Sequence, residues 1–232
     1  MIKFYELVGK NPQLRFSPYC WRIRMALAHK GVEAKSIPWH FGEVVKLPGG
    51  KNLQKVPVLI DGGEVIADST EIARHLEQKY SSGPALFESE TEIGSIRFVI
   101  AWTDLVLQPA LFPNISADIL AVLPEDSVAY FRETREARLG MTLEKAAANR
   151  EKTVSGIHKI LMPLQEVLNH TPFLGGEEPN YADYTVFGAF QWLRSVSNFE
   201  VLAPATPMFD WRENMLDLFD GLAREALTYE NA

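Results

Sequence analysis

Strand-like alternation fills the first eighty residues of this chain, stops at Ser81-Ser82-Gly83-Pro84, and does not return. Ile2-Lys3-Phe4-Tyr5-Glu6-Leu7-Val8 alternates as a half-buried strand does. Ser17 before Pro18, with Gly31 beyond, brackets one uninterrupted apolar and basic helix: a hydroxyl at the N-cap, proline at the first helical position, glycine at C′. Residues 33–39 read as a second strand, and Gly42 to Lys55 as a loop rich in Gly and Lys. Val56-Pro57-Val58-Leu59-Ile60 is a short apolar strand, Asp61-Gly62-Gly63 a hairpin turn, and Glu64-Val65-Ile66-Ala67 its partner. Asp68-Ser69-Thr70-Glu71 has capping-box spacing and opens a helix to about Lys79. The order βαβ–ββα describes one compact α/β unit.

Beyond the Ser/Gly/Pro stretch only helical spacing remains. Ile93, Ile96 and Ile100 share a helix face, and Pro109 and Pro113 are expected to bend or end that helix. Leu123-Pro124-Glu125-Asp126 opens a charged helix through Arg138. Thr142 to about Asn169 reads as largely helical with a kink at Pro163. Phe173-Leu174-Gly175-Gly176 is a turn. Asn180-Tyr181-Ala182-Asp183 is a second capping box, ahead of a very apolar helix from Tyr184 to Arg194, and a last helix runs from Trp211 to about Ala226. The expected organisation is an α/β domain over 1–82, a linker over 83–89 and an all-α domain over 90–232.

Composition removes several classes of function. The 232 residues carry a formal net charge of −7, without the basic balance of a nucleic-acid binder, so no nucleic-acid partner is expected. One cysteine excludes an internal disulfide and a four-cysteine zinc site. The five histidines show no metal-ligand spacing, so no metal is expected. No uninterrupted apolar run approaches the ~18 residues that cross a bilayer, and the strand pattern starts at once, without signal-peptide architecture. The expected compartment is a reducing cytoplasm, with no membrane partner.

The chemistry concentrates in the first unit. A strand, a short loop and a helix opened by a hydroxyl aim backbone N–H groups and a partial positive charge at an anion; a thiolate is one such anion. Ser17 holds that place. Val56-Pro57 opens a strand, where a cis bond would leave the preceding N–H and C=O free for a ligand. Asp68-Ser69 begins another helix and suits a carboxylate through N–H and hydroxyl, or an ammonium through the acid. Gln54, Lys55 and His40 suit a second carboxylate. Together these residues fit a small zwitterionic peptide with a thiol. Cys20, one turn into the helix, reads as a small buried hydrophobe rather than a nucleophile. Asn180 and Asp183 read as structural. The charges from Arg132 to Arg138 read as a solvated face with i,i+4 pairing. Phe16 and Phe41 on loops, with Trp102, Phe112 and Tyr130 from the helical part, are the candidates for an aromatic pocket poor in charge.

On Ser17-Pro18-Tyr19-Cys20, Val56-Pro57-Val58-Leu59, Asp68-Ser69, Phe173-Leu174-Gly175-Gly176 and Asn180-Tyr181-Ala182-Asp183-Tyr184, in this order and spacing, the chain resembles the glutathione S-transferase superfamily over almost its whole length. The first motif also looks like a glutaredoxin active site with serine in place of its first cysteine. The stretch from Tyr130 to Gly140, with Thr142-Leu143-Glu144, is similar to the subgroup related to bacterial lignin β-etherases and their fungal relatives. The resemblance implies a thioredoxin-like N-terminal domain, a helical C-terminal domain and a homodimer. It implies that Ser17 activates the glutathione thiol, that Val56 pairs with the glutathione backbone, and that Asp68 and Ser69 hold its γ-glutamyl end. Lys55 and Gln54 lie near the positions that meet the glycyl carboxylate. The activity implied is a detoxifying glutathione transferase acting on a hydrophobic, aromatic electrophile. Two alternatives stand beside it: glutathione-dependent β-aryl ether cleavage, and a carrier that binds glutathione and hydrophobic ligands without turnover.

Overall fold

In the computed structural model, which describes residues 1–47, 52–87 and 90–231, the alternating N-terminal segment forms strand β1 (Ile2–Leu7). Phe4 and Glu6 turn inward together on one face of β1. Ser17 caps helix α1 (Pro18–His29) by accepting the Cys20 N–H, and Gly31 leaves that helix with φ of 62°. β2 (Ala34–Trp39) lies parallel to β1, as a strand–helix–strand crossover requires. β5 (Val58–Asp61) runs antiparallel to β1, and β6 (Glu64–Ala67) antiparallel to β5, giving the sheet order β2-β1-β5-β6. The segment read as a loop from Gly42 to Lys55 holds a small ribbon, β3 (Val45–Lys46) against β4 (Asn52–Leu53). Its pairing is two residues a side, too short for alternation to reveal; residues 48–51 of that expected loop lie outside the described residues. Helix α2 (Ser69–Lys79) is capped by Asp68 and packs on α1, β5 and β6. This is the thioredoxin-like arrangement.

The rest is helical. α3 (Glu90–Trp102) passes into a π-helical turn, Thr103–Leu107, and then into α4 (Gln108–Val122). Pro109 and Pro113 therefore do not end the helix. The π turn sits directly before Pro109, and its wider coil relieves the collision a proline ring makes with the preceding turn of an α-helix. The resulting run Glu92–Val122 has the length and apolarity of a membrane span, although the shorter apolar stretches did not announce one; half of its most apolar window is buried inside the protein. α5 (Glu125–Leu139) and α6 (Leu143–Ala147) follow, then α7 (Arg150–Leu168), so the stretch from Thr142 to Asn169 is largely helical as expected, in two helices parted at Ala148 and Asn149. Pro163 lies inside α7. α9 (Pro207–Gly221) starts earlier than expected because Thr206 caps it, and its helical geometry fails at Leu218–Asp220.

Helix α8 (Tyr181–Val196) is the axis of the molecule. It is buried almost all round, as its largely apolar sequence requires, and packs on α1, α3, α4 and α9. Gly188 is where it meets the first domain: a Cβ there would stand 2.4 Å from the Pro18 carbonyl oxygen. Ser195 Oγ donates to the Arg15 carbonyl at 3.1 Å. His29 Nδ1 and the Tyr184 hydroxyl are 2.6 Å apart, joining the end of α1 to the start of α8.

The capping box of α8 does more than cap. Asp183 is fully buried and accepts from the N–H groups of Leu174 at 2.8 Å, Gly175 at 2.9 Å and Asn180 at 3.1 Å, and from the Trp211 indole at 2.8 Å. One carboxylate thus ties the turn before α8, the helix itself and α9. Removing it leaves four donors without an acceptor, two of them buried and two partly so, each costing on the order of 1 kcal/mol. Asp183→Ala is expected to lower unfolding free energy by roughly 3–5 kcal/mol, measured by denaturant titration. Asp183→Asn, which keeps one acceptor oxygen and the volume, is expected to recover only part of the loss.

Candidate active site

The loop from β1 to α1 brings Ser17 to the seam between the two domains. Ser17 is almost fully buried, its backbone extended and its Oγ taking the Cys20 N–H at 3.3 Å. The oxygen serves the helix as an acceptor, and the hydroxyl proton turns on that oxygen toward other acceptors. Beside it lies a cavity of about 310 Å³, and Ser17, Pro18 and Tyr19 form part of its wall. The first domain also contributes Phe16, Phe41, Gln54, Lys55 and Val56. The second contributes Phe112, Tyr130, Phe131 and Trp192. Most of the residues singled out from sequence therefore meet at one place.

The aromatic wall is continuous. Phe16 and Phe41 are in edge contact at 6.3 Å, Phe41 lies 5.5 Å from Phe131, and Phe112 stacks on Trp192 at 5.9 Å with ring planes 10° apart. Trp102 belongs to α3 but does not line the cavity; from that helical run the wall takes Asp104 from the π turn and Gln108 and Phe112 from α4 beyond it.

His40, Pro57, Asp68 and Ser69 also stand off the cavity wall. The His40 ring is engaged by Glu43 at 3.0 Å and the Gly9 carbonyl at 3.3 Å. The Val56-Pro57 peptide is cis, with Val56 on the cavity and Pro57 buried behind it. Asp68 caps α2 through the N–H groups of Thr70 at 2.8 Å and Glu71 at 3.3 Å, with the exposed carboxylate on a backbone of φ 78° and ψ 134°. A non-glycine residue in that region is costly by about 1–3 kcal/mol and is retained where the surroundings enforce it, often at ligand clamps. Ser69 is buried at the first position of the same helix.

Four charges stand here that the sequence reading did not assign to the site. Arg22, buried, pairs with Asp104 at 2.5 Å and lies 4.7 Å over the Tyr19 ring. Burial, followed by the Asp104 carboxylate, raises the Tyr19 phenol above its usual range. Arg135 and Arg138 also line the cavity, which corrects the expected charge-poor pocket; of the expected solvated face at 132–138, Arg138 is exposed and half-buried Arg135 is the departure. Arg132 and Glu136 do form the i,i+4 pair, at 2.7 Å, but on the other side of α5. The available signal was the spacing of Phe131, Arg135 and Arg138, at i, i+4 and i+7. Tyr19, Gln108 and Trp192 carried no distinguishing signal within their apolar or polar surroundings.

Cys20 is completely buried, and that burial, helped by the Glu6 carboxylate, pushes its thiol up to about 12. At neutral pH it stays protonated and unreactive. An aromatic disulfide reagent is expected to find no reactive thiol in the native protein and one thiol per chain in guanidinium chloride; rapid native labelling would contradict the burial.

Two family models match: "Glutathione S-transferase, N-terminal domain" over residues 12–85 and "Glutathione S-transferase, C-terminal domain" over 96–203. A probable glutathione S-transferase of Glycine max is 26% identical over 195 residues, covering 83% of this chain and 71% of the relative. A crystal structure of a Ceriporiopsis subvermispora glutathione S-transferase in complex with glutathione is 25% identical, with a TM-score of 0.72, covering 96% of this chain and 93% of that one. A glutathione transferase of Phanerochaete chrysosporium has the same fold at 24% identity and a TM-score of 0.72, over 95% and 92% of the two chains.

Proposed function

We propose that this chain, which belongs to the glutathione S-transferase superfamily, binds glutathione at Ser17 and adds its thiolate to a hydrophobic aromatic electrophile held in the adjoining cavity. The observation that carries this reading is the position of the Ser17 hydroxyl, at the N-terminus of α1 and on the wall of an aromatic cavity. The helix end and the hydroxyl both favour an anion there. A sulfur accepting the Ser17 proton in a hydrogen bond ionises more easily than in water, because the charged form gains a charge-assisted bond that the thiol does not.

The glutathione chain runs from Ser17 across Val56 to the two ends of its site. Gln54 and Lys55, on the cavity wall, take the glycyl carboxylate. Asp68 and Ser69, at the N-terminus of α2, take the γ-glutamyl end: its carboxylate meets N–H and hydroxyl donors, its ammonium the acid. His40, already held by Glu43 and Gly9, sits beside this site and not at its centre. Phe16, Phe41, Phe112 and Tyr130 receive the electrophile, with Trp102 outside that wall.

β-Aryl ether cleavage uses the same thiolate with a phenolate as leaving group, and the aromatic wall suits an aryl ether as well as an aryl halide. A carrier would bind both ligands without turnover. A panel of aryl halides, aryl ethers, hydroperoxides and dehydroascorbate, each with glutathione, separates these readings. The same reading includes a detoxifying role in the cytoplasm.

Ser17→Ala is expected to lower kcat/KM by one to two orders of magnitude, the ~1.5–3 kcal/mol of a charge-assisted hydrogen bond, and to move the pH profile upward. The substitution also removes a cap worth ~1 kcal/mol, so circular dichroism and Tm are read alongside. Unchanged turnover in a folded variant overturns the assignment.

The chain also forms a homodimer in this reading. Phe98 and Leu105, 72% and 76% exposed, stand out from α3 and the π turn, with exposed Ala101 between them. Replacing both by Glu is expected to convert a dimer to a monomer in sedimentation velocity. A monomeric wild type would refute this.

A further inference from the structure

Helix α5 deploys its arginines in two different ways. Arg132 is neutralised by Glu136 and by Glu144, each at 2.7 Å. Arg135 and Arg138 face the cavity and have no carboxylate within ion-pairing distance among the described residues. The Arg135 guanidinium lies 5.2 Å over Phe41 and 5.1 Å over Phe131, and its Nη1 donates to Thr134 Oγ1 at 2.9 Å. Arg138 lies 5.9 Å over Phe112 at the rim. The one carboxylate on this wall among the described residues, Asp104, is occupied by buried Arg22 at 2.5 Å and by Gln108 at 3.2 Å.

The whole chain is acidic, at −7, yet this cavity presents three cations, Lys55, Arg135 and Arg138, against one spent anion. Arg135 is half-buried and Arg138 is exposed at the rim; a guanidinium resting on an aromatic face is restrained there and presents N–H donors whose planar fork matches a carboxylate. Burial, together with the other guanidinium, holds the Arg135 pKa below its usual range, so an anion brought beside it gains from relieving both.

We propose that the electrophile is an aromatic carboxylate, its ring among Phe41, Phe112 and Phe131 and its carboxylate on Arg135 and Arg138. The proposal rests on the transferase reading above and narrows its substrate class. A cavity of about 310 Å³ holds one or two rings, and the rim arginines place the charged group toward water. The thiolate sulfur forms a bond to the ring carbon bearing the leaving group, that carbon's bond to chloride breaks with the electron pair on chloride, and the thiol proton goes to solvent.

The test compares 4-chloro-3,5-dinitrobenzoate with its methyl ester, each with glutathione, in the wild type and in Arg135→Gln/Arg138→Gln. The expected wild-type preference in kcat/KM is at least about tenfold for the acid over the ester, corrected for their uncatalysed rates. The preference is expected to reside in KM, to fall with added salt, and to collapse toward one in the double variant. A general loss of packing lowers both compounds and leaves the ratio standing, which overturns the proposal, as does equal handling of the two by the wild type. A raised KM for glutathione at an unchanged ratio assigns the arginines to glutathione and also overturns it. If neither compound is turned over, the transferase reading fails. Calorimetric titration with the unreactive 4-methyl analogues then decides the anion site alone. Tighter acid binding that disappears in the double variant upholds it, and equal binding refutes it.

Discussion

The buried carboxylate of Asp183 fixes where helix α8 begins, and α8 fixes nearly everything else. Four N–H groups from three segments converge on it, so the turn at 173–176, α8 and α9 share one anchor. α8 in turn presses Gly188 against the Pro18 carbonyl, one residue from Ser17. The position of the hydroxyl on the cavity wall is therefore set from the helical domain as much as from the sheet. A rigid support of this kind suits a site whose work is to hold one hydrogen-bond donor at a fixed place.

The cavity is built at the seam, and each domain brings a different kind of surface. The sheet domain supplies a helix N-terminus, backbone at Val56 and a pair of polar side chains, all suited to a peptide. The helical domain supplies aromatic faces and guanidiniums. Neither half encloses a site without the other. Arg22 and Asp104 cross the seam as a pair, so the acid on the cavity wall is matched by a cation from the facing domain.

Much of this was legible in the sequence, for identifiable reasons. Ser17, Asp68 and Asn180 accept from backbone N–H groups two or three residues on, and Asp183 closes the capping box on the Asn180 N–H three residues back; such bonds leave a spacing that can be read. The order of elements along the first unit and the helical second part came from alternation and its absence. What escaped depended on tertiary contact. The α3–α4 run does not stop at its prolines, because a π turn absorbs the first of them. Trp102 does not line the cavity and Gln108 does, a difference set by how the run packs against the rest of the chain. Arg135 and Arg138 looked like members of a solvated charge run because their aromatic partners, Phe41 and Phe112, come from elsewhere in the chain.

The π turn at Thr103–Leu107 has one more consequence. Such a turn is an α-helix carrying one surplus residue, and each residue of an α-helix accounts for about 100° of rotation. Losing a single residue there would restore a regular helix and swing Gln108 and Phe112 off the wall together. The specificity of this cavity is thus open to change in whole steps of chain length, by one codon gained or lost in a helix, as well as by the slower exchange of one side chain for another.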